Sequence, residues 1–129
     1  MDERGQQPAA NGAATILVCD DDPSLRELVR AVLGPDYRFV EAADGSEALD
    51  LVRTERPDLI VLDVMLPGLS GIEVLEELRT TESLKAIPVV VITAWSHAEI
   101  DAQVAGADRF VSKPFDPDDL SAAVRELLP

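Results

Sequence analysis

Residues 15–34 read TILVCDDDPSLRELVRAVLG. Thr15 to Cys19 form a short β-rich run without charge. Three acids follow, Asp20, Asp21 and Asp22. Beyond them Leu25, Leu28, Val29, Val32 and Leu33 fall at i, i+3, i+4, i+7 and i+8, one apolar stripe of a helix, with Arg26, Glu27 and Arg30 on the other side. Asp22 suits the helix cap and Pro23 the first helical position, while Gly34-Pro35 ends the segment. The stretch therefore reads as strand, acidic turn, helix.

Outward from this unit the pattern repeats. β-rich runs fall at 15–19, 37–42, 58–62, 87–93 and 109–112, and helical patterns at 23–34, 45–56, 71–83, 97–105 and 117–128. The third helix is expected to bury Ile72, Leu75 and Leu78 and to expose Glu73, Glu76 and Glu77. The fifth is expected to bury Leu120, Val124, Leu127 and Leu128. Residues 88–93, PVVVIT, are apolar throughout, as suits a central strand buried on both faces. Strict alternation predicts an α/β fold with a five-stranded parallel sheet and helices on both faces; right-handed crossovers give strand order 2-1-3-4-5. Residues 15–129 read as one domain, and residues 1–14, small and polar without period, as a flexible tail.

A length of 129 residues fits one domain with a real core. The formal net charge of −14, from 25 acids against 11 bases, argues against direct nucleic-acid or anionic-membrane binding, which needs clustered lysine and arginine. With one cysteine, Cys19, no intrachain disulfide can form, and a buried free thiol is expected. No apolar run reaches membrane-spanning length and no secretory signal pattern opens the chain, so a cytoplasmic location is expected.

Three charged points directly follow apolar runs: the acids after Ile16–Cys19, Asp63 after Leu59–Leu62, and Lys113 just beyond Phe110-Val111. In a parallel sheet these charges meet at the carboxyl edge, where ligands bind in this architecture. Carboxylates gathered there repel one another. At an effective dielectric of about 20, a pair roughly 4 Å apart costs about 4 kcal/mol. A raised pKa, a lysine or a metal must offset that cost. Oxygen-only ligands in a small site favour Mg²⁺, which keeps several waters and also holds phosphate oxygens. Taken singly, each residue has a plainer reading: Asp22 as a cap, Asp20, Asp21 and Asp63 as turn acids, Lys113 as a solvated charge.

The segments ILVCDDDPSLRELV, PDLIVLDVMLPGLSGIEVLEELR, IPVVVITAW and GADRFVSKPF occur in this order. Together they make the chain from Thr15 onward resemble the receiver domain of two-component response regulators. The resemblance implies that Asp63 is the phosphoacceptor, taking a phosphoryl group from a sensor histidine kinase or a histidine phosphotransfer protein. It implies that Asp20, Asp21, Asp63 and the backbone carbonyl of Met65 hold Mg²⁺. Thr93 would donate its hydroxyl to a phosphoryl oxygen, Lys113 would pair with another, and Phe110 would occupy the aromatic switch position. Lys113-Pro114 is expected to be cis. Partner docking is expected near Ser24 on the first helix and at Pro114-Phe115, with the chain a monomer or weak dimer.

The sequence departs from the family pattern in four places. Phe110 stands where tyrosine is frequent, so an inward aromatic state rests on packing alone. Met65 and Trp95 occupy positions that tend to tune phosphate hydrolysis, and two bulky apolar groups there predict a fairly long-lived phosphate. The stretch from Thr93 to Phe110 is a couple of residues short, which predicts a truncated fourth helix or preceding loop. Arg109 and Ala123 stand where winged-helix regulators carry an acid and an arginine for dimer salt bridges, which argues against that dimer. His97, the lone histidine, reads as an exposed residue at a helix start. The competing functions are a Mg²⁺-dependent aspartyl-phosphate phosphatase, disfavoured because Met65 stands where such enzymes need a second acid, and a phosphorylation-independent interaction domain. The chain reads either as a stand-alone regulator or as the receiver part of a larger protein.

Overall fold

The computed structural model describes residues 13–94, 101 and 105–128. Five parallel strands form the sheet: β1 (Thr15–Cys19), β2 (Arg38–Ala42), β3 (Leu59–Asp63), β4 (Val89–Thr93) and β5 (Arg109–Ser112). Their spatial order is β2-β1-β3-β4-β5, the 2-1-3-4-5 arrangement expected from right-handed crossovers. The described helices are α1 (Pro23–Leu33), α2 (Gly45–Glu55), α3 (Gly71–Thr80) and α4 (Pro117–Leu127). Most of the expected 97–105 helix lies outside the described residues.

Alternating strand residues build two cores. Leu17, Cys19, Ile60, Leu62, Val89 and Val91 pack with Ala48, Leu49 and Val52 of α2 and Val74, Leu75 and Leu78 of α3. Ile16, Val18, Leu59, Val61, Val90, Ile92 and Val111 pack with Val29 of α1 and Leu120, Ala123 and Val124 of α4. β3 and β4 are buried at every position, which is why their sequences are continuous apolar runs rather than alternating ones. Each fully buried Leu, Ile or Val stabilises the fold by about 1.5–3 kcal/mol, enough to support charged groups at the strand ends.

Helix starts follow local chemistry. The Asp22 side chain accepts from the Ser24 N–H with Pro23 at the first helical position, and Asp116 and Pro117 repeat this device at α4. Ser70 and Glu73 form a reciprocal capping box at α3.

One sequence expectation is corrected in α1. Leu28 is 48% exposed and does not share the buried stripe. At about 100° per residue, Leu28 lies on one border of that stripe and Leu33 and Arg26 on the other. The helix is rolled toward the second border. Arg26, expected to face outward, is half-buried and bonded to the strand side.

Candidate functional site

Strand register brings the charges together. Cys19 pairs with Leu62, so Asp20, one residue beyond β1, lies beside Asp63, the last residue of β3. Thr93 pairs with Ser112, so Lys113 follows directly at the same edge. Oxygen atoms of Asp20, Asp21 and Asp63 lie within 4.8 Å of one another. Asp20 and Asp63 are buried and Asp21 is exposed. The donor set is oxygen-only and small, which suits a hard cation such as Mg²⁺.

Lys113 bridges the two buried acids. Its Nζ donates to Asp20 Oδ2 at 3.0 Å and to Asp63 Oδ2 at 2.8 Å. Its backbone N–H donates to the Thr93 carbonyl at 2.9 Å, and the Lys113–Pro114 peptide is cis. The remaining Asp63 oxygen, Oδ1, accepts from the Met65 N–H at 3.0 Å. The Met65 side chain is 60% exposed at the mouth of the site. Thr93 is buried at the end of β4. Trp95 and His97 lie outside the described residues.

The backbone around Asp63 is closely fitted. A Cβ on Gly71 would run into the Asp63 carbonyl oxygen and sit 2.7 Å from Val64 Cα. Only glycine lets the start of α3 approach this strand end so closely, and the Gly71 N–H donates to the Val64 carbonyl at 2.9 Å.

Electrostatics follow the crowding. Burial above all, and then the Asp63 charge, hold the Asp20 carboxyl above the usual carboxylate range; the Asp22 N–H and Lys113 pull the other way without cancelling this. Burial alone would lower Lys113, but hydrogen bonds and attraction from Asp63 and Asp20 carry its ammonium above the ordinary lysine value. Lys113 is thus firmly charged. One lysine against three carboxylates leaves an excess of negative charge that a divalent cation matches. Burial pushes the neighbouring Cys19 thiol far up, which suits an inert core residue.

Phe110 is half-buried on β5 and packs against the α2/α3 core, paired in register with Val91. Ser24 and Pro114 are exposed, and the half-buried Phe115 packs against the α1/α4 core. Arg109 Nε contacts Glu126 Oε1 at 3.0 Å within the chain, and Ala123 is buried, so neither offers a free charge to a second copy. Arg26 reaches the site although its sequence position does not announce it. Its Nη1 donates to the Asp20 carbonyl at 2.6 Å and its Nε to Glu41 Oε1 at 2.9 Å. The only sequence signal for it is a position on the border of the apolar stripe, one turn into α1.

Comparison with known proteins agrees with this layout. A profile of the response regulator receiver domain matches residues 16–125. The DNA-binding response regulator MtrA of Mycolicibacterium smegmatis is 45% identical over 88% of this chain and 50% of its own length. Response regulator Rre1 of Synechocystis is 39% identical over 88% of this chain and 51% of its own. The chain thus spans about half the length of these curated relatives. Among solved structures, chemotaxis response regulator CheY4 of Vibrio cholerae has a TM-score of 0.83 at 30% identity, covering 90% of this chain and 99% of that one. The receiver domain of NtrX from Brucella abortus has a TM-score of 0.79 at 32% identity, covering 88% and 97%. The strand order, the charged carboxyl edge and these likenesses agree, and the chain belongs to the response regulator receiver domain family.

Proposed function

We propose that this receiver domain takes a phosphoryl group onto Asp63 from a phosphohistidine of a sensor kinase or phosphotransfer protein, and that the modified state controls a downstream partner or effector. The observation that carries this reading is Lys113 Nζ, bonded at once to Asp20 and Asp63, with Asp21 in the same acid cluster. Asp63 supplies the attacking oxygen. The new P–O bond forms as the histidine P–N bond breaks, and the imidazole leaves with a proton. Asp20, Asp21, Asp63 and the Met65 carbonyl would hold Mg²⁺, which supplies charge neutralisation and positioning of the phosphoryl oxygens.

The other steps belong to the chain. Asp63 is presented by a strand end fixed against Gly71. Lys113 exchanges its carboxylate partners for a phosphoryl oxygen, and Thr93 donates its hydroxyl to another. The phosphoryl group brings roughly 1.5–2 negative charges, by analogy with other phosphorylated side chains. That charge biases the end of β4 and the half-buried Phe110 on β5, a two-state element. Ser24, Pro114 and Phe115 are the proposed docking points for the phosphodonor. Exposed Met65 shields the site from the hydrolytic water, consistent with a long-lived phosphate. Among the described residues no helix is long and apolar enough to cross a membrane; the proposed place of action is the cytoplasm, as monomer or weak dimer.

The test is amide NMR with beryllofluoride and Mg²⁺. Large shifts are expected at Thr93 and Lys113 in the wild type and none in Asp63→Asn. A wild-type spectrum unmoved by the reagent would overturn the proposal.

A further inference from the structure

Asp20 is engaged at every polar atom. Its N–H donates to the Ala42 carbonyl at 3.1 Å, Oδ1 accepts from the Asp22 N–H at 2.9 Å, and Oδ2 accepts from Lys113 at 3.0 Å. The remaining atom, its backbone carbonyl, accepts from Arg26 Nη1 at 2.6 Å. That carbonyl belongs to the peptide joining Asp20 to Asp21. Its orientation sets the direction of both side chains.

Arg26 is itself held. Its Nε donates to Glu41 Oε1 at 2.9 Å, and Glu41 Oε2 accepts from Arg30 Nη1 at 2.9 Å, one turn further along α1. Glu41 sits on β2, paired in register with Val18 of β1. The Arg26 side chain is only 16% exposed, against 49% for Arg30. A guanidinium fits this position because its planar fork bonds a carboxylate and a carbonyl in fixed directions, which an ammonium cannot do as well. The chain therefore places a cation beside a site that collects cations. By charge alone this placement is unfavourable to metal binding. Its geometry has to offset that cost.

We propose that Arg26, oriented by Glu41, is a positioning residue for the cation site: it fixes the Asp20–Asp21 peptide so that the two acids converge with Asp63. This rests on the Mg²⁺ reading of the acid cluster. Arg26 touches neither the proposed ion nor the phosphoryl group; it acts through the Asp20 carbonyl. Groups that orient metal ligands from outside typically contribute about 10–100-fold in affinity.

Charge and geometry predict opposite signs. Arg26→Met keeps the aliphatic stem and removes both the charge and the donors. If charge dominates, Mg²⁺ binds more tightly. If positioning dominates, it binds about 10-fold more weakly. The experiment is calorimetric Mg²⁺ titration of the folded protein without phosphodonor, with thermal melting in chelator run alongside. Arg30→Met removes the same charge from the same carboxylate without touching Asp20, and is expected to leave the Mg²⁺ affinity unchanged. Arg26→Lys is expected to fall between wild type and Arg26→Met. Should Arg26→Met not fold, Glu41→Gln, nearly the same shape, is expected to weaken Mg²⁺ binding by loosening Arg26. Unchanged or tighter binding in Arg26→Met, equal weakening in Arg30→Met, or wild-type affinity in Glu41→Gln would each overturn the inference. Failure of the wild type itself to bind Mg²⁺ would instead overturn the cation-site reading on which the inference stands.

Discussion

The two ends of the sheet each hold a partly buried cation, in opposite surroundings. At the amino end Arg79, near the end of α3, donates to the carbonyls of Gly106, Lys85 and Ile87 and to Asp108 Oδ2 at 2.9 Å. Asp108 Oδ2 also accepts from the Val89 N–H at the start of β4. One positive charge meets one negative charge and three neutral acceptors. At the carboxyl end Lys113 meets Asp20 and Asp63, with Asp21 close by. There the charges do not balance. A polar cluster that closes on itself joins loops; one with excess charge, held rigid by the same core, is ready for a ligand of opposite sign. Both ends pair a cation with aspartate, so balance rather than composition separates them.

The largest expected effect lies at the balanced end. Arg79→Met strands three carbonyls and a carboxylate and is expected to destabilise the fold by about 2–4 kcal/mol in urea unfolding. The Mg²⁺ affinity of the remaining folded protein is expected to stay at the wild-type value; a parallel loss of affinity would break the separation of the two ends. Gly71→Ala, at the other end, pushes a methyl group against the Asp63 carbonyl. The expected cost is about 1–3 kcal/mol, together with slower labelling from acetyl phosphate because Asp63 moves with the strand end. Full stability in this variant would contradict the close fit of α3 to β3.

Asp20→Asn should act with the opposite sign. A neutral amide keeps one acceptor oxygen and turns the other into a donor while removing one of the crowded charges, and the expected gain without Mg²⁺ at neutral pH is roughly 1 kcal/mol in urea unfolding. The stabilisation conferred by Mg²⁺ should shrink in the same variant. The pH dependence sharpens this. Asp20 has its folded pKa raised, so its contribution is fully present below the ordinary aspartate value of about 3.9 and is lost as pH rises through the higher folded value. The advantage of Asp20→Asn should therefore open as pH climbs above about 4 and then level off. Lys113, also raised, contributes stability below the ordinary lysine value of about 10.4 and loses it as pH rises through its folded value, a loss that Lys113→Met should not show. The smallest effect is expected at Arg53 and Glu77, a half-exposed pair 3.5 Å apart between α2 and α3. Arg53→Met is expected to change stability by less than about 0.5 kcal/mol, as suits a pair belonging to neither end.

Strand order and the meeting of Asp20, Asp21, Asp63 and Lys113 are legible in the sequence because each charge ends an apolar run, and a parallel sheet sends all such ends to one edge. The elements can be read from their periods, with boundaries differing by a few residues: the third helix stops at Thr80, not 83. Arg26 and Arg79 are not legible. Both make bonds to backbone carbonyls of other segments, and a carbonyl has no sequence signature. Leu28 misleads for a related reason. Periodicity gives the width of an apolar stripe, whereas the roll of the helix depends on what its border residues find, and here Arg26 finds the Asp20 carbonyl and Glu41. Gly71 looks like ordinary loop punctuation; its contact with Asp63 depends on the angle at which α3 meets β3.

The central claim is that the unbalanced carboxyl end gathers Mg²⁺ so that Asp63 can accept phosphate. Its most direct test is peptide-resolved mass spectrometry after incubation with acetyl phosphate, with and without Mg²⁺. One phosphoryl group on Asp63, dependent on Mg²⁺ and missing from Asp63→Asn, is the predicted result. An unlabelled wild-type chain, or a phosphate carried with equal yield by Asp63→Asn, would contradict it.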